Sequence, residues 1–465
     1  MRHVKLTRRD ALKMAGMAAA GAAAAGTRVS RASGMTVVEC DVCVIGGGSA
    51  GTYTAVRLGD LGKSVMLVES TASLGGHAQT FIDPATGVPI DIGVVDFENT
   101  PVVAAYLNRF GVQTVVSTPT TQSQANIDFR TGLPVTVTPP SAAAVGAALQ
   151  QYYEILTTQY PYLSAGFQLP NPVPAELAAP FSSFVATHGL QALVPTAFDF
   201  AQGAGNLLND PALYVLKLFS LNVVGAIFGG GFLNIPQGTR QLYSAAQSYL
   251  GNKVLLNADV CNISRGGTVE TLVNTPQGMT LIKSSKLVWA APPTLWNLAP
   301  VDLDGHEIAT FGQLTSKEYA TGIVKLSGLP AGLSLVNAAA NTPYNLPPLP
   351  GIYRMQAATP GLYVTTFGAN TPLLDAYIQG AIAYGVQQVA AAGTYPVAFN
   401  GFDIFSNHAP FQIGVTGAAI AGGYYNVLNT MQGRHNTYYA SAAFQTNDSS
   451  LIWQFIEGLL PQITG

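Results

Sequence analysis

The sequence is poor in charge, in cysteine and in long apolar runs, and each shortage excludes a class of protein. Charged residues make up 10% of the 465 residues, against roughly 25% in a typical soluble domain. With 21 Lys and Arg and a net charge of -3, the chain lacks the clustered basic groups of a nucleic-acid binder. Three cysteines are too few for a disulfide scaffold. The apolar run at residues 14–26 is shorter than the roughly 20 residues that span a membrane, so we expect no stable membrane anchor.

Apolar side chains, in contrast, are abundant. Hydrophobic residues make up 48% of the chain, with 20 Phe and 20 Tyr, which is enough to bury a large core and excludes intrinsic disorder. The length exceeds that of one ordinary domain and predicts two or three lobes.

The N-terminus has the pattern of an export signal. Arg8 and Arg9 precede the run of mainly Ala and Gly at residues 14–26, and Ser30 and Ala32 place small residues before a cut after Ala32. Paired arginines before such a run predict a twin-arginine signal over residues 1–32 and an exported, periplasmic or secreted protein. The alternative is a basic N-terminus before an Ala-rich stretch. This segment holds seven of the 21 basic residues and one of the 24 acids, so the mature chain would carry a net charge of -9.

A strand, a glycine turn, a helix and a second strand follow one another directly after this segment. Residues 37–45 read as a buried parallel strand. Gly46, Gly48 and Gly51 match the spacing G-x-G-x-x-G, and residues 50–61 have helical character. A second strand ends at Glu69. Because the flanking elements that should accompany the glycine motif are present, we predict a dinucleotide-binding unit.

Each residue type in this unit has a physical reason. Gly46 permits the tight turn, Gly48 lets the backbone approach a pyrophosphate, and Gly51 lets helix and strand pack closely. The helix N-terminus at Ser49 and Ala50 offers free N–H groups to phosphates. Glu69, which ends the second strand, can bind the two hydroxyls of an adenosine ribose and would repel a 2′-phosphate.

Cys40 and Cys43 form a C-x-x-C pattern on the first strand. Residues three apart on a strand face opposite sides of a sheet. We therefore interpret the two cysteines as small buried apolar residues and expect no redox role.

Beyond the second strand the sequence continues with Gly75, Gly76 and His77, and then with Asp91 and Gly93. An acid, a Gly-Gly motif and an Asp-x-Gly segment in this order resemble the flavin amine oxidase superfamily, nearest the branch of polyunsaturated fatty acid isomerase and beta-cyclopiazonate dehydrogenase. The resemblance implies FAD as cofactor. It places His77 where most members have Arg, which predicts a cofactor contact that changes with pH, since imidazole titrates near 6.5.

Two further positions are assigned by the same resemblance. Val260 is similar to the residue that contacts adenine through its backbone. Residues 432–444 resemble the segment beside the isoalloxazine ring, with Ala440 and Ser441 where many members have Gly and an acid. Since no cysteine follows Cys261, we exclude covalent flavin attachment through a C-terminal cysteine.

The implied fold class is α/β, a two-lobed flavoprotein with a Rossmann-type FAD-binding domain and a mixed α+β substrate domain. The FAD-binding domain is expected in three pieces, residues 36–100, 225–298 and 405–465. The substrate domain is expected in two pieces, residues 101–224 and 299–404. Their apolar composition is that of an apolar pocket or of an ordinary core.

Three side chains near the C-terminus are the candidate catalytic residues. Tyr438 and Tyr439 are placed to form an aromatic cage beside the flavin, and Arg434 to hold a substrate carboxylate. Lys317 and Lys325 are the candidates for the lysine that some members hold near flavin N5. The histidines show no metal-ligand spacing, so we expect no metal site and interpret three of them as structural: His188, His306 and His408.

The residues leave three functions open. The first is an FAD-dependent oxidoreductase that transfers a hydride from a small apolar or amine-bearing substrate to flavin N5. The second is an FAD-dependent double-bond isomerase of unsaturated fatty acids. The third is a non-catalytic flavin-fold binding protein, an alternative that Ala440 and Ser441 leave open because they lack the carboxylate of other members.

Overall fold

A computed structural model describes residues 27–32, 35–117 and 123–465. These residues form two lobes, each built on its own large sheet. The paired arginines of the expected export signal, Arg8 and Arg9, lie outside the described residues. Arg28–Ala32, at the end of that segment, is a strand that pairs antiparallel with Met35–Glu39 of the next strand.

The strands, numbered in chain order, have the following bounds. They are β1 Arg28–Ala32, β2 Met35–Ile45, β3 Val65–Val68, β4 Thr80–Ile82, β5 Pro89–Asp91, β6 Asp96–Glu98, β7 Val115–Val116, β8 Gln124–Asp128, β9 Leu133–Pro134, β10 Phe232–Asn234, β11 Val254–Leu255, β12 Asp259–Arg265, β13 Val269–Thr275, β14 Gly278–Trp289, β15 Thr315–Ser327, β16 Ser334–Asn337, β17 Gly351–Ala357, β18 Leu362–Ala369, β19 Ala398–Asn407, β20 Phe411–Gly414 and β21 Thr437–Tyr439.

The helices are numbered in the same way. They are α1 Ser49–Asp60, α2 Pro101–Arg109, α3 Ala142–Thr158, α4 Ala175–Ala178, α5 Phe181–Thr187, α6 Val194–Phe200, α7 Ala212–Leu218, α8 Leu221–Gly225, α9 Arg240–Leu250, α10 Gly305–Phe311, α11 Asp375–Ala391, α12 Gly417–Ala421, α13 Tyr424–Asn429 and α14 Ser449–Thr464.

The first lobe contains the sheet β11-β3-β2-β14-β13-β12, with β21 added beside β14. The strands β11, β3, β2, β14 and β21 are mutually parallel where they pair. The second half of β2 is buried on both faces, with Val42, Cys43 and Val44 almost inaccessible, as expected for a central parallel strand. The predicted strand, helix and strand of the dinucleotide-binding unit are thus confirmed as β2, α1 and β3.

The second lobe contains the sheet β19-β15-β18-β17-β16-β8-β9, with β20 paired to β15. Its pairs are antiparallel except for β16 with β8. Helix α11 packs on this sheet through Ile378, Ile382 and Val386, which recur at helical spacing and are buried, so its apolar stripe covers the strands. The sheet continues through β20 to Gly414, beyond the expected domain boundary at residue 404.

The helices α3 to α8 form a largely apolar layer that shares one core with the first sheet. Tyr152, Phe181 and Phe219 belong to this core and are almost fully buried. Among the described residues, no single helix has both the length and the apolar composition of a membrane span. One pair of helical segments, Ala212–Leu218 and Leu221–Gly230, has that length and composition when the two are taken together, but they are bent by 43° relative to each other.

The two cysteines of β2 differ from expectation in their orientation. Both Cys40 and Cys43 pack against the same apolar core, rather than on opposite faces. The alternation of the strand is interrupted at Asp41, where the backbone N atoms of Asp41 and Val42 both donate to the Ser64 carbonyl. Both thiols are free, and burial raises the pKa of each.

Candidate active site and cofactor cavity

The glycine turn between β2 and α1 is tightly packed at two of its glycines. Gly46 has φ +99°, a backbone conformation that favours glycine. A Cβ added to Gly51 would lie 1.8 Å from the Gly46 carbonyl oxygen, so only glycine fits there. The turn leads into α1, which has Gly48 at its N-cap without a capping side chain. The first N–H groups of the helix are therefore available to an anion.

The Gly75-Gly76 loop lies directly against this turn. Gly75 donates from its backbone N to the Gly47 carbonyl, with N and O 2.9 Å apart, and forms a bridge with Gly48. A Cβ on Gly76 would lie 2.9 Å from the Gly48 Cα atom. The structure therefore brings together two glycine motifs that are separated in the sequence by α1 and β3.

Glu69 is buried at the end of β3, beside the same turn. Its Oε2 atom accepts a hydrogen bond of 2.6 Å from the Gly47 backbone N, and its Oε1 atom accepts one of 2.7 Å from the Thr71 backbone N. Oε1 also accepts a longer hydrogen bond of 3.3 Å from the Ser70 Oγ atom, and these three donors fix the plane of the carboxylate. Since Oε2 accepts only one of these hydrogen bonds and has a second lone pair, the carboxylate remains able to accept a hydrogen bond from a ribose.

These residues line one side of a cavity of about 460 Å³ between the two lobes. Most of the predicted cofactor residues line this cavity. These are Gly46, Gly48, Ser49, Ala50, Glu69, Gly75, Gly76, His77 and Ser441. Gly51 and Ala440 support the wall from behind: Gly51 packs on Gly46, and the Ala440 backbone N donates to the Trp289 carbonyl.

Val260, the predicted adenine contact, lies on β12 opposite Val273. It does not border the cavity itself. The chain just before it is tied to the end of β3, since the Ala258 backbone N donates to the Glu69 carbonyl at 3.0 Å. Val260 therefore remains a predicted adenine contact, and it lies two residues from a position that is hydrogen-bonded to Glu69, the predicted ribose-binding acid.

The cavity contains polar groups that suit FAD. The Ser441 Oγ atom is buried and has no hydrogen-bond partner, which is costly unless a ligand supplies one. A second helix N-terminus, that of α14, borders the cavity at Asp448 and Ser449. With the open N-terminus of α1, the buried Glu69 and the close-packed glycines, these groups fit the pyrophosphate, ribityl and ribose parts of the cofactor.

Two carboxyl groups meet below the α14 terminus. Asp448 caps the helix by accepting a hydrogen bond from the Leu451 N at 2.9 Å. Glu98 is almost fully buried, and its pKa is raised well above the usual range, first by burial and then by the neighbouring Asp448 carboxylate. Both causes favour the neutral form of the Glu98 carboxyl.

His77 faces the cavity, but its titration differs from the sequence-based expectation. The residue is accessible from the cavity, while the rings of His408 and Phe411 enclose its imidazole on another side. That enclosure desolvates the imidazole and lowers the pKa of His77 to about 4. The expected change of charge between pH 5 and 8 is thus wrong for the protein alone, because the imidazole is neutral throughout that range.

The second lobe supplies an aromatic wall that the sequence did not reveal. His77 and His408 stack with ring centroids 4.3 Å apart, and Tyr319 stacks on Phe411 at 4.9 Å. His408, interpreted as structural from the sequence, borders the cavity. It is buried, and its Nε2 atom has no hydrogen-bond partner. His408 is therefore a candidate substrate contact.

Polar side chains accompany these rings on the second-lobe side. Asp199, Gln202 and Arg354 border the cavity, together with Phe200. Asp199, Phe200 and Gln202 come from the end of α6 and the loop directly after it, whereas Arg354 comes from β17, far beyond them in the sequence. No local motif marks them, so only the chain fold brings them to the cofactor side.

Tyr438 and Tyr439 lie outside the cavity lining. Both belong to β21, which pairs with β14. The Tyr438 hydroxyl donates to the Gln462 carbonyl at 2.8 Å, while the Tyr439 ring is fully buried and stacks on Phe444. Since α14 and the core cover both faces of this short strand, the structure gives these tyrosines packing roles instead of the expected aromatic cage.

Arg434 also lies outside the cavity lining. Its guanidinium pairs with the Asp304 carboxylate, and His435 Nε2 lies 2.8 Å from the same carboxylate. The hydrogen bond from His435, with others from the Glu307 backbone and Arg434, lowers the pKa of Asp304. Although Asp304, Glu307 and His435 lie close enough to hold a metal ion, Arg434 and Arg265 already neutralise the two carboxylates.

The two candidate lysines are each paired with an acid. Lys317 Nζ lies 2.8 Å from Asp210 Oδ1, and Lys325 Nζ lies 2.7 Å from Asp403 Oδ1. Lys317 borders a second cavity, separated from the first by β20. Alternate residues of that strand face the two cavities: Phe411 and Ile413 face the first, whereas Gln412 and Gly414 face the second.

Comparison with known proteins agrees with this geometry. The family model described as "Flavin containing amine oxidoreductase" matches residues 49–307. The FAD-dependent oxidoreductase oblC of Cochliobolus heterostrophus is 34% identical over 443 residues, which cover 92% of each chain. Beta-cyclopiazonate dehydrogenase of Aspergillus oryzae is 29% identical over 430 residues, covering 92% of this chain and 93% of that protein.

Among solved structures, the CLA-producing fatty acid isomerase from P. acnes superposes with a TM-score of 0.75. The match covers 91% of this chain and 98% of the isomerase, at 20% sequence identity. At that identity the likeness concerns the fold, which is confirmed as the two-lobed α/β flavoprotein architecture.

Proposed function

The chain belongs to the family of flavin-containing amine oxidoreductases and is an FAD-dependent oxidoreductase. From this premise we propose that its substrate is a small apolar molecule that is oxidised at a C–H bond. When bound, FAD supplies the hydride acceptor, its N5 atom. The part of the protein is to hold the cofactor, to orient the substrate and to exclude water.

One observation carries this proposal: the cofactor-binding residues and an aromatic wall face each other across one cavity. Gly48 and Glu69 line the first-lobe side, whereas Phe200, Tyr319 and Phe411 line the second-lobe side. A pocket with apolar walls and few polar groups favours an apolar ligand. Since both sets of residues border the same space, a substrate on the aromatic wall lies beside the cofactor.

The residues on each side have distinct tasks. The carboxylate of Glu69 binds the adenosine ribose, and the N–H groups at the start of α1 bind the pyrophosphate. The Gly75-Gly76 loop lets the cofactor approach the backbone closely. Tyr319 and Phe411, which stack on each other, keep water from the reacting carbon and orient the apolar body of the substrate.

Anaerobic bleaching of the flavin tests this proposal. The purified holoenzyme is mixed with matched panels of apolar alcohols, amines, carboxylic acids and polyunsaturated fatty acids, and absorbance is followed in the flavin bands. We expect bleaching by an apolar panel member, followed by recovery of colour when an electron acceptor is added. Formation of conjugated-diene absorbance without net bleaching or oxygen consumption would instead identify an isomerase.

We also propose that residues 1–32 direct export by the twin-arginine route. The support is the pair Arg8 and Arg9 before the Ala- and Gly-rich run, and this route carries proteins that have already folded, which suits a chain that loads FAD before export. Replacing both arginines by lysine preserves the charge. We expect it to retain the protein in the cytoplasm, and unchanged appearance of flavin-loaded protein outside would refute the proposal.

A further inference from the structure

Arg354 is placed at the cavity by an irregularity in its strand. The pairing of β17 with β18 shifts between Ile352 and Arg354, and such bulges change the direction of a side chain. The neighbours Tyr353 and Met355 are both buried, which anchors the strand on each side. Arg354 itself is half-buried and borders the cavity.

The guanidinium of Arg354 lacks an ion-pair partner in the protein. In residues 27–32, 35–117 and 123–465, no carboxylate oxygen lies within 4.0 Å of it, and no hydrogen bond from its side chain is formed. A guanidinium is charged at every accessible pH and has five N–H donors. A half-buried cation of this kind is stabilised by an anion with two oxygens, which it binds through parallel hydrogen bonds.

Asp199 borders the same cavity and lies near enough to Arg354 for the two charges to interact, but it forms no ion pair with the guanidinium within 4.0 Å. Its pKa is raised by burial, and the charge of Arg354 only partly opposes that rise. The three other acids of the lining have partners of their own. Glu69 is bound by backbone N–H groups, Asp448 caps α14, and Asp96 is hydrogen-bonded by Ser117 and Asn234. Among the lining residues of the described chain, Arg354 is the only lysine or arginine.

We propose that Arg354 binds a carboxylate of the substrate, so that the enzyme takes an apolar organic acid rather than an amine. This inference deepens the proposed function and rests on it for the identity of the reaction. The carboxylate lies at β17, while the apolar body of the substrate lies against Tyr319 and Phe411. Because no carboxylate of the described residues lies within 4.0 Å of Arg354, its N–H donors are available to an anionic ligand.

Binding of three matched probes to the oxidised holoenzyme tests the proposal without turnover. 4-Phenylbutyrate, 4-phenylbutan-1-ol and 4-phenylbutylamine share one apolar body and differ in the terminal group. Binding is followed by the perturbation of the flavin absorbance and by titration calorimetry. We expect the carboxylate to bind about tenfold to a hundredfold more tightly than the alcohol, the gain typical of hydrogen bonds to a charged group, and the amine to bind most weakly.

Variants assign the preference to the arginine. Arg354→Met should abolish the preference for the carboxylate while the FAD content stays unchanged, and Arg354→Lys should restore part of it, because lysine keeps the charge without the planar fork. Lys325→Met, an exposed lysine of the same sheet, is the control and should behave as the native chain. Asp199→Asn should leave the preference intact.

Equal affinity for the three probes, or a preference for the amine, would overturn the proposal. Loss of FAD from Arg354→Met would also overturn it, because the arginine would then be a cofactor ligand. The bleaching test is independent of these results. If no panel member bleaches the flavin but 4-phenylbutyrate still binds through Arg354, the proposed function fails while the acid-binding role stands.

Discussion

The Oε2 atom of Glu69 accepts a hydrogen bond from the backbone N of Gly47, with the two atoms 2.6 Å apart. This contact joins the acid at the end of β3 to the glycine turn that follows β2. Since Thr71 holds the other carboxylate oxygen, the orientation of the acid is set before any cofactor arrives. Such preorganisation lowers the cost of binding.

Replacement of Glu69 by Ala should weaken FAD binding. The ribose hydroxyls lose a charged acceptor, a loss of about 1.5–3 kcal/mol, or roughly 10- to 150-fold in the dissociation constant. Titration of the deflavinated protein with FAD, followed by fluorescence quenching, measures the change. The exposed Glu154 provides the control, since Glu154→Ala should leave the constant unchanged. Equal FAD affinity of both variants and the native chain would remove Glu69 from the site.

Gly93 supports the cavity through a close backbone contact. A Cβ on Gly93 would lie 1.6 Å from the His77 carbonyl oxygen. Gly93→Ala should therefore displace the loop that carries His77, destabilise the fold by about 1–3 kcal/mol and reduce FAD content. Gly267→Ala, at a position with no atom within 4 Å of the added Cβ, should change neither. Urea unfolding and the ratio of flavin to protein absorbance measure both effects, and a native-like Gly93→Ala would refute the steric argument.

His408 should make the stability of the protein depend on pH below about 6.5. Burial, and secondarily the neighbouring His77, hold the pKa of His408 well below its usual range. Below about pH 6.5 the unfolded chain binds a proton that the native state does not, so stability falls as the pH falls. The slope from this group is at most about 1.4 kcal/mol per pH unit.

His408→Gln should flatten that dependence, whereas the exposed His306 serves as a control and His306→Gln should retain it. Urea unfolding at pH 5.0, 6.0 and 7.5, values that bracket the ordinary histidine pKa, measures the slopes. A slope that is the same in all three proteins would show that His408 is not buried in the neutral form.

His77 should contribute no pH dependence to FAD affinity between pH 5 and 8, the range in which an ordinary histidine titrates. Burial lowers its pKa to about 4, so the imidazole stays neutral and donates a single hydrogen bond. FAD titrations of the native chain and of His77→Gln should give parallel affinity curves across this range. Curves that diverge toward low pH would mean that the bound cofactor keeps His77 protonated.

The contiguous part of the cofactor site could be predicted from the sequence. The expected strand at residues 37–45, helix at 50–61 and strand ending before Glu69 correspond to Met35–Ile45, Ser49–Asp60 and Val65–Val68. These elements follow one another directly in the chain. The glycines between them indicate a tight turn, a backbone geometry that the local sequence determines. The Gly75-Gly76 loop belongs to the same short stretch of chain.

The substrate side could not be predicted, because long-range pairing creates it. Tyr319, Arg354 and His408 are brought to one cavity by the second sheet and the chain after it, and no spacing in the sequence reports that pairing. For Tyr438 and Tyr439, position in the sequence predicted a contact that the fold does not form. Their closeness to Ser441 along the chain suggested a flavin contact, but the coverage of β21 on both faces determines where their rings point.

The visible absorption spectrum of the purified native chain, recorded before and after addition of FAD, tests the central claim most directly. We expect the two absorption bands of oxidised flavin and the release of FAD when the protein is denatured. We also expect both bands to bleach when an apolar acid substrate is added in the absence of oxygen. A folded protein that stays colourless after reconstitution with FAD would contradict the account.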